Sequence, residues 1–397
     1  MTSAPTSLGR RGFLTLAGAV GVAAVVRPSL ASAATGPILK PLPPEWFVPF
    51  GTNAEMRWDS VDPRSYLTAQ ARLFVRNHTS TPTIDPTTYR LRIFGDGLAT
   101  ARDEAGALSL TLADLQAMRR TTLTTVHECT GNGRRFFGAQ QARPAAGTQW
   151  SLGAVGTVRW EGVKLRDVLA AVGLDSAAVS IQATGLDDPY VTGGIDYGRV
   201  RRPFSVAKAL DDALLAWGVD GAPLLPDHGF PLRLVLPGWV GIASIKWLGS
   251  LEVSKSELSS PWNTKWYRMT GGDFPADSPP LTVNPVRSAW ELGWAATLPA
   301  RPVRLTGRSW SGAAPIVRVD VSVDGGRSWR RAVLDRTCRE ERGWQRWSIL
   351  WAQPRRGSHE LLARATDALG RTQPAVAAYN DGGYFFDAVV RHPVTVV

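Results

Sequence analysis

One of the two cysteines in the chain, Cys129, stands in the run Glu128-Cys129-Thr130-Gly131-Asn132-Gly133-Arg134-Arg135. A cysteine in a glycine-rich turn with two arginines close behind has two readings. It is an inert apolar residue, or it is a thiolate, favoured by nearby positive charge and offered to a soft metal. Other segments gather anion-binding and hydrogen-bonding groups: Phe74-Val75-Arg76-Asn77-His78, Gly185-Leu186-Asp187, Asp227-His228-Gly229-Phe230-Pro231-Leu232-Arg233, and Ser244-Ile245-Lys246. A guanidinium presents a planar fork that matches oxyanions and phosphates, and a carboxylate such as Asp187 accepts from N–H donors. Taken singly, each of these residues reads as an ordinary salt bridge or cap. Five histidines and two cysteines are too few and too scattered for a zinc cage. There is no P-loop, and Gly131-Asn132-Gly133 lacks the rest of a dinucleotide fingerprint. No Cys-x-x-Cys-His occurs, so no haem is expected on this chain.

The 397 residues carry a formal charge of +11, with arginine dominating the basic set and no long basic run. An anionic ligand accounts for this better than nucleic acid does, with a merely solvated basic surface as the alternative. The sixteen Trp read as core and interdomain packing rather than base-stacking platforms. At the N-terminus Arg10-Arg11-Gly12-Phe13-Leu14 precedes an apolar stretch over 14–26, and Ala31-Ser32-Ala33 offers a cleavage site. The apolar run is too short to span a bilayer. The arginine pair reads as a twin-arginine signal over 1–33, with Gly9 where Ser or Thr is commoner. The expectation is export of an already folded chain to the periplasm or outside, with no transmembrane anchor after signal removal. Two cysteines in so long a chain do not suggest a disulfide framework, and Cys129 and Cys338 are expected to be unpaired.

The elements that must position these residues fall into two groups. Residues 34–60, rich in Pro and aromatics, read as an extended arm over the first domain. From 73 to 270 helix and strand signals mix: a short helix beginning at 110–115, a strand and turn at 160–163, an amphipathic helix over 165–172, and a strand around 232–236 ended by Pro237-Gly238. After a linker-like stretch over 271–280 the period is two. Val317, Val319, Val321 and Val323 alternate with polar residues up to a turn at Asp324-Gly325-Gly326, and Trp347, Ile349 and Trp351 repeat the pattern, with a further run over 361–365. The expected fold class is α+β over 34–275, followed by an immunoglobulin-like β-sandwich over 276–397.

Taken in order, the cysteine run, the stretch from Trp150 to Val163, and the segments around Arg76, His228 and Lys246 resemble the sulfite oxidase family. The resemblance runs from about Arg72 to the C-terminus, and the second domain is similar to that family's dimerisation domain. It implies a molybdenum-molybdopterin cofactor with Cys129 as the metal ligand. Phe74, Val75, Arg76, Asn77, His78, Asp187, His228, Arg233, Ser244, Ile245 and Lys246 would hold the pterin and its phosphate. Arg76, Arg134, Trp150 (at slightly longer spacing than usual) and Tyr267 would line the substrate pocket.

In animal sulfite oxidases a third arginine reaches in from the C-terminal domain. Here Gly382, in Tyr379-Asn380-Asp381-Gly382-Gly383-Tyr384, takes that place. The resemblance therefore implies an oxyanion site short of one charge, with space for a larger or less charged substrate. The expected activity is oxygen-atom transfer, sulfite to sulfate foremost, with electrons passed to a separate acceptor such as cytochrome c and a homodimer as the assembly. The alternatives are the same cofactor acting on a sulfoxide, an N-oxide or another oxyanion, and a secreted binding protein without catalysis. Changing Arg10 and Arg11 together to Lys should leave unprocessed protein in the cytoplasm; export at the native rate, followed by cell fractionation, would point to the ordinary secretory route.

Overall fold

The computed structural model describes residues 36–271, 274–336 and 342–397. The twin-arginine stretch and Cys338 lie outside them. The first region holds two five-strand sheets. One runs in the order Arg201–Ser205, Ser180–Gly185, Leu248–Ser254, Leu91–Phe94, Leu108–Leu110, with a single parallel pair between the third and fourth. The other orders Ala222–Pro223, Leu214–Val219, Val155–Lys164 and Arg120–Glu128, with Arg233–Val235 also on Leu214–Val219.

Local signals explain the helices. Thr111 and Asp114 form a capping box that starts the helix Leu112–Ala117. The expected helix over 165–172 is Leu165–Val172; it buries Leu165, Val168 and Leu169 and stops at Gly173, which takes a left-handed φ of 84°. The turn expected at 160–163 is absent, because the strand Val155–Lys164 passes straight through it. Gly162 is there for another reason. The neighbouring strand lies so close that a Cβ would overlap the carbonyl oxygen of Leu215.

The second region is a β-sandwich. One sheet orders Arg287–Trp290, Val303–Trp310, Gln345–Trp351 and Val333–Leu334; the other orders Ala296–Leu298, His392–Val396, Gly357–Asp367, Ile316–Ser322 and Arg330–Arg331. Trp290, Trp347, Trp351, Val319, Val321 and Leu361 fill the space between. The expected valine alternation fails at one end. The register slips between Ile316 and Arg318, so Ile316 turns inward and Val317 is 53% exposed. One extra residue in a strand reverses which side chains face the core.

The arm does more than lie over the first region. Its chain forms the hairpin Phe47–Phe50 with Asn53–Met56. The N–H groups of Leu39 and Lys40 donate to the Asp227 carboxylate at 3.0 and 2.6 Å. Further on, Trp58 packs on Trp310 and Trp344, with ring centroids 6.1 and 6.3 Å away, and its indole N–H donates to the Trp290 carbonyl. The arm is thus bonded to both regions. Gly162→Ala should cost roughly 1–3 kcal/mol, because the added methyl has backbone rather than a movable side chain in its way. Thermal unfolding of the two proteins side by side checks this, and an unchanged Tm would contradict so close an approach.

Candidate functional site

The strand Arg120–Glu128 pairs along its full length with Val155–Lys164, and Glu128 lies opposite Val155. Cys129 is the first residue past its end. The turn that follows is fixed by backbone bonds: Cys129 N–H to Ala154 O at 2.9 Å, Asn132 N–H to Cys129 O at 2.9 Å, and Arg134 N–H to Gly131 O at 3.0 Å. The Asn132 side chain ties both flanks together, donating to Glu128 Oε1 at 2.8 Å and accepting from the Ala154 N–H at 3.2 Å. Cys129 is a free cysteine, buried, and on the wall of a cleft of about 680 Å³ including its open mouth.

Around the same cleft stand Phe74, Arg76, Asn77, His78, Asp187, His228, Arg233, Ser244, Ile245, Lys246 and Tyr267. Segments far apart in sequence therefore converge as the motifs imply. Three expected residues do not line it. Val75 is wholly buried and pairs its backbone with Ala54. Trp150 sits one layer back, packed edge-on against Phe74 with centroids 6.3 Å apart. Arg134 is turned to backbone carbonyls, Nε to Gly382 O at 2.9 Å and Nη1 to Thr148 O at 2.8 Å. Glycines make its slot, since a Cβ at Gly131, Gly147 or Gly383 would press on the Arg134 side chain.

The cleft has further walls in His127, Thr130, Val200, Asp227, Gly241, Ile242 and Trp247. His127 had a signal in the sequence, being two positions before Cys129 on a strand and so on the same face. Asp227 and Trp247 adjoin residues already singled out. Lys40, from the arm, had none. It is 5% exposed, donates to the Leu73 carbonyl, and meets His228 Nε2 at 3.3 Å behind the cleft.

Cations crowd this wall. Arg233 donates to the carbonyls of His228 (3.0 Å) and Ser244 (3.1 Å) and lies over the Trp160 ring, yet its Nε has no partner. Lys246 donates to Asn77 Oδ1 and, at 2.8 Å, to the Asp227 carbonyl. Burial pushes the Lys246 ammonium well below its ordinary value, with Arg233 adding repulsion, and pushes Arg233 down to about 9. Burial and neighbouring cations hold His78, His127 and His228 neutral. Asp187 Oδ1 and Thr130 Oγ1 are also buried without partners, and burial raises Asp187 to about 6. Unpaired donors and acceptors plus surplus positive charge are what a ligand with a phosphate and several N–H edges would satisfy. The residues present fit a pterin cofactor of that kind.

At the Cys129 end burial pushes the thiol up, against the pull of Arg76 and Arg134. A bound metal would take the proton off. Arg76 is held by the Asn77 carbonyl at 2.6 Å and His78 Nε2 at 3.1 Å. Tyr267 takes a left-handed φ of 58°, and burial raises its hydroxyl to about 12. The space expected beside Gly382 is filled. The ring of Tyr384 lies where a Cβ on Gly382 would be and stacks on Tyr267 with centroids 5.2 Å apart.

Comparison with known proteins follows the same division of the chain. Residues 78–262 match the oxidoreductase molybdopterin binding domain, and residues 291–395 match the Mo-co oxidoreductase dimerisation domain. Human mitochondrial sulfite oxidase is 35% identical over 334 residues, 79% of this chain and 58% of that protein. Sulfite oxidase of Gallus gallus is 34% identical over 325 residues, 78% of this chain and 68% of that protein. The chain thus spans little more than half the length of the human relative. Among solved structures, the sulfane dehydrogenase SoxCD from Paracoccus pantotrophus superposes with a TM-score of 0.72 at 25% identity, covering 88% of this chain and 84% of that one.

The site also sets a pH dependence. Asp187 titrates near 6 when folded against 3.8 ordinarily, so the folded state loses stability as pH rises through that window. In cofactor-free protein, Asp187→Asn should be the more stable at pH 8 by up to about 3 kcal/mol, and the difference should vanish below about pH 4. Denaturant unfolding at both pH values checks it; a gain independent of pH would mean that Asp187 is not buried as a charge.

Proposed function

The chain belongs to the sulfite oxidase family of molybdopterin oxidoreductases, and from that membership we propose that it is an exported enzyme oxidising a sulfur compound, sulfite first among them, with a separate electron acceptor such as a c-type cytochrome. The observation that carries this is Cys129, a free thiol at one end of a cleft whose other walls hold unpartnered Arg233 Nε and Asp187 Oδ1 beside Lys246. Arg233 and Lys246 would take the phosphate, Asp187 would accept from pterin N–H groups, and Cys129 would be the protein's ligand to molybdenum. When bound, that group supplies two-electron redox chemistry and an oxygen atom for transfer. Sulfite and water give sulfate, two electrons and two protons.

The chain's own residues bind and orient. Arg76, fixed by Asn77 and His78, attracts an anion to the Cys129 end. Tyr267, which burial keeps protonated, donates a hydrogen bond to a substrate oxygen. The dimerisation-domain match over 291–395 supports a homodimer. A second reading keeps the cofactor and changes the substrate. Gly382 in place of an arginine, Arg134 committed to backbone carbonyls, and the Tyr267–Tyr384 stack give a less cationic face, and the likeness to a sulfane dehydrogenase supports a sulfane sulfur as the group oxidised.

Protein made in a cofactor-producing host should contain close to one molybdenum per chain and reduce a dye with sulfite; metal without sulfite turnover would favour the second reading. Cys129→Ser should fold as the parent does and lose turnover, since a hydroxyl is a harder and far less acidic ligand. Circular dichroism and the dye assay read both halves of that expectation, and parental turnover would remove Cys129 from its role.

A further inference from the structure

The sandwich region reaches the Cys129 turn through a buried pair that none of the cofactor contacts uses. Arg287 and Trp310 are directly opposed neighbours on two sandwich strands. Arg287 is 4% exposed and Glu128, the residue before Cys129, is 1% exposed. Their ion pair measures 3.3 Å, and the same Arg287 Nη1 donates to the Asn132 carbonyl at 2.5 Å. Trp310 Nε1 donates to the second Glu128 oxygen at 2.9 Å, and Asn132 Nδ2 donates to the first at 2.8 Å. Gly133, with φ +83°, leaves the room that the guanidinium needs, since a Cβ there would overlap Arg287 Nη2.

We propose that Arg287, on the sandwich domain, is a positioning residue for the metal-binding thiol. The inference rests on the reading of Cys129 as the metal ligand. A buried ion pair is weak evidence of a stability role, because apolar pairs of similar volume often serve as well. The placement of this one is specific. A single nitrogen, Nη1, meets both the carboxylate of the residue before the cysteine and the carbonyl three residues after it, so the short turn that aims the sulfur is held at both ends from another domain. A lysine keeps the charge but replaces the rigidly held guanidinium nitrogen with an ammonium on a flexible stem, which is not fixed at the point where both acceptors meet it.

Arg287→Lys in the molybdenum-loaded enzyme is the test. It should fold and load metal as the parent does. Its thiolate-to-metal charge-transfer band should shift or broaden, and kcat should fall on the order of tenfold with KM little changed, as expected of a displaced reacting group. An unaltered band and kcat would overturn the proposal and leave the pair a purely structural one. If Arg287→Lys does not fold, Glu128→Gln with Arg287→Met, which leaves no buried charge unpaired, is held to the same two readouts; if neither folds, the pair serves folding alone and the proposal falls. Cys129→Ser keeps the two ideas apart. A parent protein without molybdenum, or a band that survives Cys129→Ser, overturns the ligand reading and this proposal together. A band lost in Cys129→Ser but untouched in the Arg287 variants overturns this proposal only.

Discussion

The rest of the structure is organised around a group of cations set on and behind one cleft wall. Arg233 and Lys246 stand on a cleft wall with His127 and His228, His127 touching Arg233, and Lys40 meets His228 from behind. Burying such groups without counter-charge is costly, and proteins relieve the cost by proton loss or by binding an anion. Asp227 does part of the work from the rear, but it is already occupied by the N–H groups of Leu39 and Lys40 and the hydroxyl of Thr81. The remaining deficit faces the cleft. Family membership supplies the matching group, a phosphate-bearing pterin, which would give partners to Arg233 Nε, Asp187 Oδ1 and Thr130 Oγ1.

The sheets provide the rigidity this arrangement needs. Arg120–Glu128 and Val155–Lys164 pair without a break, so Cys129 and Ala154 emerge side by side. Arg233–Val235 is attached to the same sheet through Leu214–Val219, which brings Arg233 to the same cleft. Strain is tolerated on this support. Trp247 and Tyr267 adopt left-handed φ values of 51° and 58° that a bulky residue reaches only when its surroundings hold it there. Trp247 is fixed by its indole N–H to the Pro226 carbonyl at 2.7 Å, next to Lys246 on the cleft wall.

Much of this was legible in the sequence where the signal is local or a motif. The helix over 165–172 follows from its apolar spacing, and the order of the motifs was enough to gather Arg76, Asp187, His228, Arg233 and Lys246 around Cys129. What was not legible depends on which atoms meet across distance. Trp150 and Val75 carry the motif but serve the layer behind the cleft. Arg134 points to carbonyls because three glycines from separate segments shape its slot. The outward turn of Val317 comes from a bulge that no alternation pattern reveals. Lys40 sits in a proline-rich arm whose composition suggested covering rather than insertion.

Gly382 shows why a missing charge is not the same as an empty place. Losing an arginine from an oxyanion site removes a guanidinium, and by itself would leave a polar gap open to water. Here the Tyr384 ring lies over Gly382, stacks on Tyr267, and comes within 5.6 Å of the Arg134 guanidinium, whose Nε is bound by the Gly382 carbonyl. Any side chain at 382 would begin by displacing that ring. The glycine, the tyrosine pair and the committed Arg134 therefore form one unit, and they change together or not at all. An aromatic stack offers shape and, through its hydroxyls, hydrogen-bond donation where a guanidinium offers charge.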